Sequence, residues 1–521
     1  MGTRTADLIL RSGRIHTLDA RDRVVRALAT RGGRIVEVGR DADVLRWRGS
    51  RTEVVDLEGR FACPGFIDCH THFAKRALGI TRVDLHGAAS LGELLARLKR
   101  QRRRTPRGEW VLGRGWDEST WDEKRFPTRE DLDAAVPDRP VKASRVDGHS
   151  CVVNTLGWET LGIPKDFPGV VLDAAGRPTG VLKEHAYEET LDRIVDPPER
   201  YREALPRMER EAQRLGVTTV CDFVDPKDMA AYTERRRAGR LRVRVVAAMW
   251  VRHLEAMELA GMHAGIGDEW LKVQGVKMYG DGSIGSRTAA MRRPYRDDPG
   301  NRGQMNMGAD EMVETVARAR VMGLQVCVHA IGDRGVEEVI GAYERAAKAA
   351  TLATFRGERH RVEHCELVTK DGIRRMKRLG LVASMQPNFV GQWSRKGALY
   401  DQRIGGRWHG RDNPMRWLLD GGVPVVFGSD NMPFGPLYGI ASAVGAPSAA
   451  QRLTPREALA AYTRDAAWAL REEASRGTLE VGKLADVVVL DGDPLRRSER
   501  LDRIGPWATV VGGRMPFKQR G

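Results

Sequence analysis

Two histidines separated by one residue close an apolar stretch near the start of the chain. The segment over residues 63–72 reads Cys-Pro-Gly-Phe-Ile-Asp-Cys-His-Thr-His. In an extended strand, residues two apart point to the same face, so His70 and His72 would direct both imidazoles at one point. Two neutral imidazoles at a rigid strand end form half of a transition-metal site. Taken alone, the pair is equally compatible with a capping histidine beside a solvated one.

The chain after residue 60 alternates apolar segments with amphipathic helical stretches rich in Arg, Glu, Ala and Leu. Eight such segments predict the strands of a (β/α)8, or TIM, barrel, a fold of the α/β class. They are Phe61–Asp68, Val217–Phe223, Val243–Met249, Val273–Tyr279, Gln325–His329, His360–His364, Val382–Gln386 and Val425–Ser429.

Catalytic groups of such barrels lie at the carboxyl ends of the strands. Only 12 histidines occur in the chain, and four of them fall at these ends. With one lysine and one aspartate, the predicted set is His70, His72, Lys277, His329, His364 and Asp430. Nitrogen and oxygen donors without thiolates favour zinc, manganese, iron or nickel over a closed structural zinc site. A metal with an open position would lower the pKa of a bound water to about 7, and Asp430 is placed to take its proton.

Both ends of the chain have a different pattern from the middle. Residues 1–60 and 476–521 contain short β segments separated by glycine turns, which suggests one small sheet domain built from both termini. Residues 61–475 would form the barrel. The long interval after the first strand, residues 74–200, predicts an inserted subdomain near the mouth of the barrel, where it would shape substrate access.

The net charge of +16 raises the question of nucleic acid as a partner. The excess is mostly arginine scattered along predicted helices, without zinc-finger spacing or a basic tail. A solvated basic surface is therefore expected, with a small molecule as the substrate. A membrane span needs about 18 apolar residues in a row, which the sequence lacks. A cytoplasmic location follows as the expectation, and a monomer and a homodimer both stay open.

Further motifs recur in order along the chain. They read Lys-Met-Tyr-Gly-Asp-Gly-Ser over 277–283, Val-His-Ala-Ile-Gly-Asp over 328–333, Val-Glu-His over 362–364 and Gly-Ser-Asp over 428–430. Gly-Arg-Gly-Trp-Asp over 113–117, Asp-Gly-His-Ser over 147–150 and Gly-Lys-Leu-Ala-Asp-Val-Val-Val-Leu over 482–490 accompany them. Together with residues 64–72, they resemble the amidohydrolase superfamily, in its YtcJ-like, amidohydrolase-3 branch, to which N-substituted formamide deformylase belongs.

The resemblance implies a role for each of the six residues. His70 and His72 would bind the more buried metal, and His329 and His364 the more exposed one. Lys277 would be N-carboxylated by carbon dioxide and bridge two ions, zinc in the first place, although one ion is the alternative. Asp430 would ligate metal and act as general base and acid. The resemblance also implies a composite β-sandwich formed by both termini.

Three further residues are substrate-binding candidates, each with an ordinary alternative. His149 could hydrogen-bond a substrate carbonyl or be a polar turn residue. Trp116 could form a substrate wall or pack in a core. Asp281 could orient Lys277 or cap its loop. A salt bridge to Asp281 or to another carboxylate is the alternative role for Lys277. Glu184 and His185 are expected to be exposed helix residues.

The sequence thus predicts a metal-dependent hydrolase that cleaves a C–N bond, in an amide or a formamide, through metal-activated hydroxide with Asp430 as base and acid. Hydrolysis of an ester or lactone, or deamination of a ring, would use the same site. A catalytically silent scaffold of this fold is the alternative from another class. Nucleic-acid binding through the basic surface is a further one, which salt-dependent binding would test.

Overall fold

Eight parallel strands form the central sheet of the molecule. The computed structural model describes residues 5–196, 198–408, 410–496 and 501–519, apart from the side chain of Asp192. The strands, β1 to β8 in chain order, are Phe66–Thr71, Val217–Val224, Arg244–Trp250, Leu271–Tyr279, Gln325–Ala330, Arg361–His364, Val382–Met385 and Val425–Phe427. Each pairs in parallel with the next. The predicted barrel is therefore confirmed.

Backbone groups after β8 nearly close the barrel against β1. The N–H of Ser429 donates to the Asp68 carboxylate at 2.9 Å, and the N–H of Asp430 donates to the carbonyl of His70 at 2.9 Å. Gly428 lies at the closest approach, because a Cβ there would lie 2.4 Å from the backbone nitrogen of His70. The junction fixes Asp430 directly beside the first histidine.

Helices surround the barrel and pack on the outward side chains of its strands. In β2, Val220 and Val224 belong to the large core between sheet and helices, whereas Cys221 and Phe223 face the barrel interior, as the period of two requires. The helices outside the insertion and the terminal sheets are Phe73–Ile80, Pro198–Arg214, Pro226–Arg237, Leu254–Leu259, Ala309–Val321, Asp333–Ala347, Leu352–Gly357, Lys370–Leu379, Pro387–Trp393, Leu399–Ile404, Met415–Asp420, Pro436–Val444, Pro455–Ala461 and Arg464–Ala469.

The predicted first barrel strand, 61–68, is wrong in its extent, because it combines two strands of different sheets. Phe61–Pro64 pairs with Arg14–His16 and with Val487–Leu490, and Phe66–Thr71 alone enters the barrel. The chain passes from one sheet to the other at Gly65, where a Cβ would lie 2.3 Å from the side chain of Thr218. Proline followed by a glycine without room for a side chain marks the break.

Strands from both ends of the chain form two small sheets. The four-stranded sheet has the order Arg34–Gly39, Ala27–Arg31, Leu8–Arg11, Glu53–Asp56. The six-stranded sheet has the order Arg514–Lys518, Pro506–Val511, Val487–Leu490, Phe61–Pro64, Arg14–His16, Val24–Val25. A shared apolar core joins them, and the short helix Asp41–Leu45 packs beside it. The domain boundaries at 60/61 and 475/476 stay predictions.

The segment after β1 contains a sheet of its own. Its order is Val170–Leu172, Pro178–Lys183, Ser150–Val153, Val141–Arg145, Val111–Trp116, Val83–Asp84. The helices Leu91–Arg102, Arg129–Ala135, Thr155–Leu161 and His185–Arg193 cover it.

A buried arginine ties this insertion to the loops of the barrel. Arg145 is fully buried, and its guanidinium contacts Glu118 at 2.8 Å and Asp147 at 2.9 Å. Glu118 also binds Arg403 at 2.8 Å, and Asp147 accepts a 2.7 Å hydrogen bond from Ser283 in the loop after β4. The insertion is thereby fixed over the mouth of the barrel.

Within the described ranges, no helix combines the length and the apolar composition needed to span a bilayer. All six cysteines are buried as free thiols.

Candidate metal centre

Three buried side chains converge at the carboxyl ends of the barrel strands. His70, His364 and Asp430 each offer a ligand atom, and these atoms lie within 4.8 Å of one another. They line a cavity of about 290 Å³ together with His72, His329 and Lys277. The structure therefore brings all six residues of the predicted set to one cavity, while the triad itself contains three of them. Their individual roles stay predictions.

Glu363 orients the first histidine. Its carboxylate lies 2.6 Å from Nδ1 of His70 and is itself bound by the Arg361 guanidinium at 2.6 Å. A carboxylate can only accept here, so Nδ1 carries the proton and Nε2 keeps its lone pair. That Nε2 lies 3.8 Å from Asp430 Oδ1. A carboxylate behind an imidazole is the usual support of a metal-binding histidine.

The tautomer of His329 follows from the same reasoning. Its Nε2 lies 3.0 Å from the carbonyl oxygen of Gly282, which can only accept, so the lone pair is on Nδ1. Burial, together with neighbouring positive groups, holds the pKa of His329 well below its ordinary value. The pKa values of His70, His72 and His364 are lowered in the same way and for the same first cause. All four imidazoles are therefore neutral, as metal ligands must be.

His364 and Asp430 occupy a left-handed backbone conformation, with φ of 67° and 47°. Such a conformation costs free energy in a residue with a side chain, and it clusters at functional sites. His364 Nδ1 is buried without a hydrogen-bond partner in the described chain, and Asp430 Oδ1 lies 3.4 Å from His72 Nε2. Burial raises the pKa of Asp430 to about 7, against the opposing effect of Lys277.

Lys277 has neither a hydrogen bond nor an ion pair with any residue that the structure describes. Its side chain is 1% exposed, and Nζ lies 4.5 Å from the centroid of the Phe223 ring. Burial lowers the pKa of Lys277 to about 8, although Glu363 opposes the shift. The side-chain nitrogens of Lys277 and His364, which have no hydrogen-bond partner among described residues, join the ligand atoms of His70 and Asp430. This set of nitrogen and oxygen atoms fits a divalent metal ion.

Asp281 lies outside this cavity and holds two loops together. Its carboxylate accepts hydrogen bonds from the backbone N–H groups of Ala290 at 2.8 Å, Ile331 at 2.9 Å and Gly332 at 2.8 Å. Burial raises the pKa of Asp281 to about 7. These contacts agree with the loop-capping alternative, and among described residues no salt bridge joins Asp281 to Lys277.

Trp116 packs in the core of the insertion, where its Nε1–H donates to the carbonyl of Ala143 at 3.0 Å. If side chains alternated strictly between the two faces of the strand over residues 111–116, Trp116 would face the cavity together with Leu112 and Arg114. A bulge at Gly115, with φ of 103°, shifts the register and turns Trp116 to the opposite face. The structure thus places Trp116 in the position of the core-packing alternative.

His149 reaches the cavity from the insertion and lies next to His329, with ring centroids 4.9 Å apart. Its Nδ1 lies 3.0 Å from the carboxylate of Glu184. Although burial opposes the charge, Glu184 and Asp147 raise the pKa of His149 to about 9. The expectation that Glu184 is exposed is wrong, since it is 3% exposed beneath His149, whereas the side chain of His185 is 44% exposed.

Three residues at this site had no role in the sequence prediction: Glu363, Trp250 and Tyr279. The rings of Trp250 and Tyr279 stack with centroids 5.0 Å apart, and Trp250 lies parallel to His72 at 5.9 Å. Trp250 and Tyr279 close the third and fourth barrel strands, and Glu363 directly precedes His364. Their position at strand ends is the signal that could have identified them.

A barrel whose strand ends present histidines, a lysine and an aspartate to one cavity is the architecture expected of an amidohydrolase. The model of the amidohydrolase family Amidohydro_3 matches residues 53–517, and the chain belongs to this family. The resemblance drawn from the motifs is therefore confirmed.

Similar proteins cover nearly the whole chain. The protein LONG AFTER FAR-RED 3 of Arabidopsis thaliana is 30% identical over 98% of this chain and 92% of its own. N-substituted formamide deformylase of Arthrobacter pascens is 27% identical over 100% of both chains. The crystal structure of an uncharacterized metal-dependent hydrolase from Pyrococcus horikoshii OT3 is 30% identical, with a TM-score of 0.77 over 95% of this chain and 99% of that one.

Proposed function

We propose that this protein is a metal-dependent hydrolase that cleaves the C–N bond of an amide or formamide in a small molecule. The observation that carries the proposal is the convergence of His70, His364 and Asp430, with ligand atoms within 4.8 Å, beside a partnerless Lys277. Membership of the amidohydrolase family supports a hydrolase, and the deformylase relative supports the choice of bond.

The metal would be held by the donors of the cavity. The convergence of His70, His364 and Asp430 favours one ion, zinc in the first place, held by these three. The family resemblance instead pairs His70 with His72 and His329 with His364 on two ions, and the metal count decides between the two arrangements. The lowered pKa of Lys277, about 8, increases the fraction of the neutral amine, which is the form that carbon dioxide carboxylates. A divalent metal bound here would polarise the substrate carbonyl and lower the pKa of a water molecule.

Asp430 moves the proton in this proposal. Its carboxylate takes a proton from the attacking water and delivers it to the leaving nitrogen. Burial raises the pKa of Asp430, whereas a bound divalent cation would lower it and so favour the carboxylate form that accepts the proton. Glu184 and Asp147 keep His149 protonated, and Glu184 accepts from its Nδ1–H. The Nε2–H of His149 therefore remains available to donate to the substrate carbonyl oxygen. Such a donor stabilises the negative charge that develops on that oxygen.

Metal analysis together with formate release from N-substituted formamides tests the proposal. After growth with zinc or manganese, we expect at least about one equivalent of metal per chain, in line with a catalytic site of this type. Asp430→Asn should reduce turnover by about 1,000-fold or more while leaving most of the metal bound. Asp310→Asn, a matched change at a side chain that is 93% exposed, should have neither effect.

Three outcomes would contradict the proposal or one of its parts. Metal content below about half an equivalent would remove the chemistry on which it depends. Full activity of Asp430→Asn would reject the base assignment. Faster hydrolysis of matched formate esters than of formamides would assign the same site to an ester bond instead.

A further inference from the structure

The insertion supplies one wall of the cavity, and this wall carries positive charge. The strands Val111–Trp116 and Val141–Arg145 run in parallel, with Leu112 opposite Lys142 and Arg114 opposite Ser144. These four side chains line the cavity, whereas Val111 and Val141 pack into the core of the insertion. The alternation of the two strands thus presents two cations, Arg114 and Lys142, to the space in front of the candidate metal centre.

Three other basic side chains that line the cavity contact carboxylates. Lys75 binds Asp225 at 3.0 Å, and Arg82 binds Asp196. His253 also binds Asp225, at 3.0 Å. These contacts neutralise much of the positive charge at the sides of the cavity.

The side chains of Arg114 and Lys142 form no ion pair and no hydrogen bond within the part of the chain that the structure describes. Lys142 is only 4% exposed, and its Nζ lies 4.7 Å from the centroid of the Tyr187 ring. Arg114 is half-buried, and Asp430, at the metal end, is the carboxylate that acts on its charge. Burial lowers the pKa of both side chains, that of Lys142 to about 8. Buried charges are ordinarily paired, so two such cations on neighbouring strands lack an anion.

We propose that Arg114 and Lys142 bind a carboxylate on the substrate, at the end remote from the bond that is cleaved. This inference rests on the proposed hydrolysis at the metal centre and narrows its substrates to acidic amides or formamides. A guanidinium binds a carboxylate through two parallel hydrogen bonds, and the ammonium of Lys142 adds a second donor. The cavity of about 290 Å³ limits the substrate to a small molecule.

A series of formamido acids tests the inference. The substrates are N-formylglycine, N-formyl-β-alanine and N-formyl-4-aminobutyrate, each compared with its carboxamide, and the measured quantity is kcat/KM for formate release by the zinc-loaded protein. We expect the acid to exceed its carboxamide by about tenfold or more at the best chain length, because a site built for a charged partner discriminates against the neutral one. In the double variant Arg114→Met/Lys142→Met this ratio should fall to about one. Lys99→Met, an exposed lysine on the helix Leu91–Arg102, should keep the ratio of the parent protein.

Calorimetric binding to zinc-loaded Asp430→Asn separates the two proposals. If no formamide is hydrolysed but the acids bind, and the added Arg114→Met/Lys142→Met changes remove that binding, the carboxylate site stands and the proposed reaction fails. If acids and carboxamides are hydrolysed at equal rates with or without the two cations, the reaction stands and the carboxylate site is wrong. Absence of measurable binding of every acid also overturns the site. Circular dichroism of each variant verifies that it is folded.

Discussion

At the scale of single residues, the candidate site combines groups fixed by the protein with groups that lack a partner. His70 and His329 each have one ring nitrogen fixed by a protein acceptor, which leaves the other nitrogen available. Lys277 Nζ and His364 Nδ1 are buried without an acceptor among described residues. Leaving a buried polar atom without a hydrogen bond costs about 1–3 kcal/mol. A ligand that engages these atoms therefore stabilises the fold as well as supplying chemistry.

Substitution of Glu363 tests the support of the first histidine. Glu363→Gln removes the carboxylate that accepts from His70 Nδ1 and pairs with Arg361. Because such a carboxylate fixes the tautomer of a metal-binding imidazole, zinc affinity should fall about 10–100-fold in competition with a chelator. Glu338→Gln, at an exposed position of the helix Asp333–Ala347, is the matched control. Unchanged zinc affinity in Glu363→Gln would show that His70 does not depend on this contact.

Glu366 gives the protein a predictable dependence of stability on pH. It is fully buried, and burial, reinforced by Asp412 and Asp281, raises its pKa to about 8. A carboxyl whose pKa is higher in the folded than in the unfolded state stabilises the fold at low pH, and this contribution is lost as the pH rises to about 8. Glu366→Gln should therefore lose less thermal stability than the parent between pH 5 and pH 9, by about 3 °C or more in Tm. Parallel Tm curves of the two proteins would contradict the assignment.

At the scale of elements, short connections at strand ends position the site. Gly428 lets the end of β8 approach His70, and the N–H of Asp430 then binds the carbonyl of that histidine. Asp281 joins the loops after β4 and β5 through three backbone N–H groups. The candidate metal ligands are thus positioned by backbone contacts between strand ends, which strand prediction alone does not describe.

Removal of the Asp281 carboxylate should destabilise these loops strongly. Asp281→Ala leaves the N–H groups of Ala290, Ile331 and Gly332 buried without their acceptor. At about 1–3 kcal/mol for each such group, the free energy of unfolding should fall by at least about 3 kcal/mol in chemical denaturation. Asp310→Ala, on an exposed side chain, should change it by less than about 0.5 kcal/mol. A small effect at Asp281 would mean that water replaces the carboxylate.

Sequence patterns predicted the strands, and the residues that their ends bring together, far better than they predicted the cavity wall that the insertion supplies. Histidines at strand ends were identifiable, because period-two apolar segments locate the carboxyl ends of a barrel. The side of the sheet that Trp116 faces was not, because a bulge at Gly115 reverses the alternation. The pairing of His70 with Glu363 joins residues almost 300 positions apart, so only the closed barrel reveals it. Local sequence patterns therefore predict the helices and strands, whereas contacts between distant parts of the chain determine which side chains lie together.

At the scale of the whole molecule, two sheet systems meet around one cavity, and a third adjoins them. The barrel supplies the candidate ligands, the insertion supplies a wall with two unpaired cations, and both termini build sheets whose described residues do not line the cavity. Arg145 fixes the wall to the barrel loops through buried ion pairs with Glu118 and Asp147. Breaking a buried pair costs about 3–5 kcal/mol, so the wall is a permanent part of the site.

The change from one sheet to the next at Gly65 limits where recombination can divide the gene for such a chain. Phe61–Pro64 lies in the middle of the six-stranded sheet, and Phe66–Thr71, which carries His70, begins one residue later. A recombination breakpoint at this place would leave one fragment with a sheet that lacks a barrel and the other with a barrel whose neighbouring sheet has lost its central strand. The two parts can therefore be exchanged between genes only together, as a single heritable unit.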